Sequence, residues 1–161
     1  MNQRWRQHRS SYRPAGDVIV TSEYDIASIT GDLQPKAFLK KHHYLGSSYP
    51  ATRFRFGLYR HGNLVGVAVF SHPCNDAVLT NVFRCPPLLA VELGRFVLLD
   101  EIPGNGETFF LRRCFERLKR EGLVGVVSFS DPHRRGRLTV QSPFVVTSVP
   151  FIRHSMAVIW A

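Results

Sequence analysis

The sequence has few cysteines and no long apolar run. Its three cysteines, Cys74, Cys85 and Cys114, are odd in number and widely spaced, which argues against a disulfide framework or a zinc site. No stretch approaches the roughly 18–20 apolar residues that a membrane span requires. The basic N-terminus also lacks the apolar segment of a secretory signal. These absences predict a cytoplasmic protein with reduced thiols and no membrane association.

Acidic residues are scarce relative to basic ones. The chain has 21 Lys and Arg against 12 Asp and Glu, which gives a net charge of +9. Such an excess is typical of proteins that bind a polyanion such as DNA or a phosphate-rich cofactor. A basic soluble protein without such a partner remains the alternative. With 161 residues, 44% of them hydrophobic, the chain is large enough for one domain with a real core.

Residues 1–16 are rich in arginine and predict a flexible basic arm, and residues 17–141 carry the apolar periodicity of one α/β domain. Within the domain, strands are predicted at 17–21, 53–59, 64–70, 91–100 and 123–129, helices at 35–41 and 107–121, and a proline-containing loop between 70 and 91. A hairpin followed by a strand–helix–strand crossover predicts a mixed sheet.

The turn before the second long helix, Pro103-Gly104-Asn105-Gly106, has the chemistry of a phosphate site. Glycines allow backbone N–H groups to converge, and a helix N-terminus adds donors and partial positive charge. The turn matches neither a P-loop nor a Rossmann fingerprint. We predict that it binds the pyrophosphate of a cofactor; a plain strand-to-helix turn with Asn105 as N-cap is the alternative.

Two groups of polar residues could perform chemistry. Ser128 and Asp131 follow the last predicted strand, at the carboxyl end where open α/β sheets bind ligands. His42, His43 and Tyr44 lie in a loop after the first helix, and one of the two histidines with Tyr44 could serve as general base and acid. With Asp131 they could also bind a divalent metal. An ordinary turn and a surface histidine pair are the respective alternatives.

Arginines supply candidate contacts to phosphate. A compact basic cluster next to Asp131 could contact a cofactor or DNA, although a charged surface loop is an equal alternative. The candidate DNA-binding residues are Arg53, Arg55, Arg134, Arg135 and Arg137.

The layout resembles the GNAT acyltransferase superfamily. In that fold two neighbouring parallel strands splay apart, the first exposes its backbone to the pantetheine arm of acyl-CoA, and the following turn binds the pyrophosphate. The usual Gly-x-Gly or Gly-x-Ala after Arg or Gln is replaced here by a turn that begins with Pro103, so the resemblance is to a divergent member. It implies a GNAT-like, mostly antiparallel mixed sheet with a parallel β-α-β crossover and flanking helices. It also implies that acyl-CoA contacts Val97, Leu98, Leu99, Pro103, Gly104, Asn105, Gly106 and Thr108.

A closer resemblance is to the Mom-like branch. It rests on His43-Tyr44, Glu92-Leu93-Gly94-Arg95, the turn with Asn105 and Thr108, and 126–131. It implies acetyl-CoA or a related acyl-CoA as cofactor, double-stranded DNA as partner, and a carbamoylmethyl-type modification of adenine that protects phage or host DNA from restriction. Iron is a further candidate cofactor, with a homodimer as a candidate assembly. The implied active-site residues are His43, Tyr44, Ser128 and Asp131, of which His43, Tyr44 and Asp131 are also the implied metal ligands.

Residues 142–161 form an atypical tail, because they depart from the family pattern. The resemblance implies a His-x-Gly-x-x-Tyr-Gln-Ala-x-Asn segment after Asp131, and residues 142–161 do not contain it. One back-translation of this tail, read in a shifted frame, encodes that segment, so we hypothesise a change of reading frame between about Pro132 and Ser142. Such a chain would keep the cofactor half and lose the acceptor half. One alternative function is an N-acyltransferase for a small amine or a protein. Another is a basic DNA-binding module or an inactive relic of the enzyme.

Overall fold

The computed structural model describes residues 2–6, 9–13, 16–43, 49–130, 147–151 and 154–160. Its helices are α1 (Leu33–His42), α2 (Ala77–Phe83) and α3 (Gly106–Arg120), and short 3-10 turns occupy Thr21–Glu23 and Pro87–Leu89. Its strands are β1 (Asn2–Arg6), β2 (Arg9–Arg13), β3 (Tyr24–Ser28), β4 (Thr52–Arg60), β5 (Asn63–Ser71), β6 (Ala90–Leu98), β7 (Gly125–Ser130), β8 (Thr147–Phe151) and β9 (His154–Trp160).

The main sheet has seven strands in the order β3-β4-β5-β6-β7-β9-β8, and β1 pairs with β2 in a separate two-stranded sheet. Neighbours in the main sheet are antiparallel except β6 and β7, which run parallel and are connected through α3. The predicted hairpin is β4–β5, closed by His61 and Gly62 with φ of 48° and 80°, as a two-residue turn with positive φ at both positions requires. The predicted mixed, mostly antiparallel sheet with a parallel crossover is confirmed.

The helices cover both faces of this sheet. Phe110, Phe115 and Leu118 of α3 pack in one core cluster with Phe70 and Val126 of the sheet. On the opposite face, α1 packs against β5, and α2 packs against the starts of β6 and β7. Because β5 is buried on both faces, its sequence is a continuous apolar run rather than an alternating one.

Helix α3 follows directly from its sequence. Its apolar residues Phe110, Leu111, Cys114, Phe115 and Leu118 recur at helical spacing and are all buried. The helix ends where Gly122 takes a φ of 81°. There Leu123 N donates to Leu118 O at 3.1 Å and Gly122 N to Lys119 O at 3.0 Å, which is a Schellman C-cap. The predicted range 107–121 is shifted by one residue from the observed Gly106–Arg120.

Two predictions about secondary structure are wrong. Residues 17–21 form no strand, since Val18 makes only an isolated bridge to Gly104 and the first strand of the main sheet is Tyr24–Ser28. The predicted loop between 70 and 91 contains α2, a helix of seven residues that is too short to show a helical period in the sequence. Burial of Leu79 against Ala90 and Val127 explains why this short segment is helical.

The other helix and the cysteines agree with the sequence interpretation. Helix α1 contains the predicted 35–41 segment, and its Leu39 is buried with Phe38 packed beside it. The cysteines are free thiols, and Cys114 belongs to the core, where burial raises its pKa. Among the described residues, no helix is long and apolar enough to cross a bilayer.

Both ends of the chain contain strands that the sequence did not predict. Strands β1 and β2 pair antiparallel within residues 1–16, and the flexibility of this arm stays a prediction. Strands β8 and β9 lie within 142–161, and β9 pairs with β7 so that the tail extends the main sheet. The change of reading frame also stays a prediction.

Candidate functional site

Strands β6 and β7 separate after a short paired segment. They pair only at Ala90↔Gly125, Val91↔Val126 and Glu92↔Val127. Beyond Glu92, the edge of β6 that faces β7 has no strand partner in the described part of the chain, while the other edge stays paired with β5 up to Leu98. The backbone of a strand edge that no neighbouring strand covers can pair with an extended polar chain.

A β-bulge lies directly after the point of separation. Val69 pairs with Arg95 and Phe70 pairs with Leu93, so Gly94 is the extra residue in β6. A bulge bends its strand and increases the local twist. A Cβ at Gly94 would lie 2.5 Å from Ser71 Oγ and 3.1 Å from Pro50 Cγ. The close approach explains glycine at this position and places the bend where β6 leaves β7.

The turn between β6 and α3 is fixed by a segment distant in sequence. Ile19 N donates to Gly104 O at 3.0 Å, and Val18 bridges the same residue. Asn105 adopts a left-handed conformation with a φ of 67° and makes no side-chain cap bond, and Gly106 begins the helix. The first turn of α3 follows the C-terminal end of β6, and Gly106 N there donates to Pro103 O at 3.2 Å. Binding of an anion at this turn stays a prediction.

The predicted cofactor residues occupy the open strand end and this turn. Val97 packs towards α1, while Leu98 and Leu99 pack towards the core under α3, and all three are half-buried. Gly104 and Gly106 are buried, Pro103 is half-buried, and Asn105 and Thr108 are exposed. The structure therefore brings the predicted residues together along one continuous path.

We call the gap between β6 and β7 that begins after the Glu92–Val127 pair the opening, and Glu92 lies at its apex. The sequence interpretation did not include Glu92 among the site residues. It is the last residue of β6 paired with β7, and its cross-strand neighbours are Ser71 and Val127. Burial raises the pKa of Glu92, and the nearby Arg95 partly opposes this effect. A half-buried carboxyl group with a raised pKa is a suitable proton acceptor. The available signal was an acidic residue within the apolar run between Val91 and Leu93.

Two of the four predicted catalytic residues lie in the described part of the chain. Ser128 is half-buried in β7, immediately after the last residue paired with β6. His43 is half-buried at the end of α1, where its N–H donates to Leu39 O at 2.8 Å. Tyr44 and Asp131 lie outside the described residues. The structure thus places Ser128 beside the opening, and the roles of all four stay predictions.

The structure does not test the predicted metal site. Of its three predicted ligands, only His43 is described. Within the described ranges, no group of three or more His, Cys, Asp or Glu side chains could hold a metal ion. We therefore assign no chemistry to iron.

The two described DNA-binding candidates have structural partners. Arg53 donates to Ala90 O at 3.0 Å and to Leu88 O at 2.9 Å, and burial lowers the pKa of its guanidinium. Arg55 donates to Asp32 Oδ1 at 2.5 Å, and the same oxygen accepts from Tyr49 Oη at 3.0 Å. Contact of either guanidinium with DNA stays a prediction. The other candidates, Arg134, Arg135 and Arg137, lie outside the described residues.

Comparisons with known proteins agree with this architecture. A sequence model of the Mom protein family matches residues 23–140. No curated protein matches the chain.

Solved structures with a similar fold include two proteins from Escherichia coli. One is a GNAT family N-acetyltransferase (YhbS) in complex with CoA, with a TM-score of 0.57 and 13% identity over 92% of this chain and 85% of the other. The second is the ribosomal-protein-S18-alanine N-acetyltransferase, with a TM-score of 0.54 and 12% identity over 86% of this chain and 95% of the other. The chain therefore has a GNAT-like fold.

Proposed function

This chain belongs to the Mom protein family, and we propose that it is an acyl-CoA-dependent enzyme that modifies adenine in DNA. The acyl group would move from the sulfur of CoA to the exocyclic amine of adenine, with CoA released as the free thiol, and the adduct would protect phage or host DNA from restriction. The observation that carries the proposal is the opening between β6 and β7, bounded by the open edge of β6 and the N-terminus of α3.

Acyl-CoA has two chemically different parts, and the opening offers a matching surface for each. The amides of the pantetheine arm can pair with backbone groups on the edge of β6 beyond Glu92. The pyrophosphate can accept hydrogen bonds from first-turn N–H groups of α3, where the helix dipole also favours negative charge. A structural neighbour that was crystallised with CoA supports this assignment.

Glu92 is the residue that we assign to proton transfer. An amine that gains a new bond must lose a proton, and a carboxylate at the apex of the opening can accept it. A base is most effective when its pKa is close to the working pH, and burial moves the pKa of Glu92 in that direction. Ser128, His43, Tyr44 and Asp131 remain candidates for the other roles in the reaction.

The charge of the chain supports DNA as the acceptor. With a net charge of +9, the protein is attracted to a polyanion over a long range. An N-acyltransferase for a small amine or a protein would use the same opening and the same base. The fold of the two N-acetyltransferase neighbours supports that second candidate equally well, and the charge favours the first.

The decisive test is mass spectrometry of nucleosides from cells that express this chain. We expect an adduct of deoxyadenosine, absent when Glu92→Gln is expressed at the same level. Calorimetry with acetyl-CoA measures cofactor binding separately.

A version with the C-terminal reading frame altered to restore the missing family segment serves as the second arm. The family match ends at residue 140, before the 142–161 tail begins. Adducts only in this arm would mean that the present chain is an inactive relic. Adducts in neither arm, with acetyl-CoA bound, would favour a small-amine or protein acceptor.

A further inference from the structure

A second concave surface lies on the far side of α3 from the opening. We call it the α3–β3 groove, because it is bounded by Thr21–Ile26 on one side and by the 109–120 part of α3 on the other. Its volume is about 460 Å³. The proposed function uses none of its residues.

This groove is separate from the proposed cofactor site. Strand β3 is the edge of the main sheet and lies three strand positions from β6. At about 4.8 Å per position, that is roughly 14 Å across the sheet. A ligand in the groove would not compete directly with a ligand on the open edge of β6.

Three arginines of α3 line the groove at helical spacing. Arg113, Arg117 and Arg120 follow an i, i+4, i+7 pattern and therefore form one row. From Arg113 to Arg120 this row extends about 10 Å along the helix, a length comparable to about three nucleotide steps of one strand. Thr21 and Ser22 add hydroxyl groups on the opposite wall, and hydroxyls are common donors to phosphate oxygens.

The arginines have unused donors. Arg117 donates one bond to Ile26 O at 2.5 Å, which fixes its stem against β3. Arg113 pairs with Glu116 at 3.0 Å and stacks over Phe109. Arg120 makes no ion pair within the part of the chain that the structure describes. Since a guanidinium has five N–H donors, each of the three can still bind phosphate.

Two acidic side chains also line the groove, and they limit how strong the attraction can be. Glu116 is shared by Arg113 and, at 3.2 Å, by Arg112, so its charge is compensated on the helix itself. Asp25 lies on the β3 wall. Three arginines against these two carboxylates leave the groove basic.

We propose that the α3–β3 groove binds the phosphodiester backbone of a nucleic acid, as a second contact outside the opening between β6 and β7. The proposal rests on the proposed function, since it assumes that DNA is the substrate. The groove supplies affinity and orientation and no sequence readout, because it presents donors to phosphate only.

The test compares two double variants with the same loss of charge. Arg113→Gln/Arg120→Gln changes the groove, and Lys40→Gln/Lys41→Gln removes two exposed cations from the last turn of α1 on the opposite face of the sheet. Arg117 is left intact because it joins α3 to β3. Binding of a double-stranded DNA oligonucleotide is measured by fluorescence anisotropy at several salt concentrations, with circular dichroism to verify folding.

The groove variant is expected to weaken DNA binding on the order of tenfold and to reduce the slope of log K against log salt by about 1.8, for two lost phosphate contacts. The lysine control should change both much less, and acetyl-CoA affinity should stay the same in both variants. Equal loss in the two variants would show that only net charge matters and would overturn the proposal. A loss confined to acetyl-CoA affinity would assign the groove to the cofactor and overturn it as well.

The two proposals fail in different ways. If the wild-type protein makes adenine adducts and the groove variant binds DNA as tightly as wild type, only the groove assignment is wrong. If the wild-type protein binds no DNA, both the groove assignment and the DNA substrate are wrong, while acetyl-CoA binding can remain.

Discussion

The two edges of strand β6 have different roles. Towards β5 the strand is paired from Glu92 to Leu98, and towards β7 it is paired only from Ala90 to Glu92. The first edge holds the strand in the sheet, so the second can remain open without loss of the fold. One strand can thus combine an edge that is paired along its length with an edge that is mostly open.

The difference between these edges has a local cause. The bulge at Gly94 comes two residues after the last β6–β7 pair and bends β6 where the opening begins. Glu92 sits at that same point, half-buried between Ser71 and Val127. Substitutions at the apex, at the bulge and in the turn at the far end of the open edge test this cause.

The largest expected effect comes from Glu92→Gln. If Glu92 is the proton acceptor of the open edge, the rate of adenine modification should fall by about 10²–10⁴-fold. Glu121→Gln, an exposed carboxyl at the end of α3, is the matched control and should retain activity. Rates of adduct formation on duplex DNA provide the measurement. A Glu92→Gln protein with normal rates would remove this residue from the mechanism.

The pH dependence of the wild-type protein and of Glu92→Gln gives an independent check. Burial raises the pKa of Glu92 in the folded state, so wild-type activity should fall as the pH drops below that raised value. The folded state also holds this proton more tightly than the unfolded state. Its stability should therefore decrease as the pH rises from the ordinary carboxyl pKa towards the raised one. Thermal melts should show a smaller decrease for Glu92→Gln, and identical pH dependence in both proteins would contradict the assignment.

Gly94→Ala, which changes the bulge, should have a smaller effect than Glu92→Gln. The added Cβ would approach Ser71 Oγ at 2.5 Å in a site where Ser71 is 1% exposed. Overpacking of this kind costs about 1–3 kcal/mol, measured by chemical denaturation. Acetyl-CoA affinity should decrease too, because β6 would leave β7 at a different angle.

Two variants sharpen the interpretation of that result. Ser71→Ala removes the closest atom, so the Gly94→Ala/Ser71→Ala pair should recover part of the lost stability in a double-mutant cycle. Gly16→Ala adds a Cβ with no atom within 4 Å and should be neutral. If the effects of Gly94→Ala and Ser71→Ala on stability are additive, the contact with Ser71 is not the cause of the loss.

The smallest effect is expected at Asn105. Its left-handed conformation, with a φ of 67°, costs an ordinary residue about 1–2 kcal/mol and costs glycine little. Asn105→Ala should therefore lower the free energy of unfolding by about 1 kcal/mol, and Asn105→Gly should lower it less. Both keep the backbone N–H groups of the turn, so calorimetry should find acetyl-CoA affinity in the Gly variant close to wild type. A large loss of affinity in Asn105→Gly would mean that the side chain itself contacts the cofactor.

Local patterns predicted the elements that carry strong local signals. The apolar face of α3 and its Gly122 stop define that helix, and the turn residues before Asn63 define the β4–β5 hairpin. Segments with short or ambiguous patterns were misassigned. Val18 and Val20 look like strand residues but are 52% and 56% exposed, and α2 is too short for a helical period to be recognised.

Sequence alone determined the GNAT-like order of strands and helices and the basic charge of the chain, and it predicted the 103–108 turn as a phosphate site. These properties depend on local periodicity, turn chemistry and composition, each of which can be read within a short window. The residue at which β6 and β7 separate, the burial of Glu92 at that point and the support of Gly104 by Ile19 emerged only from the tertiary structure. They depend on which distant segments become neighbours, and a strand does not record in its own residues where its partner ends.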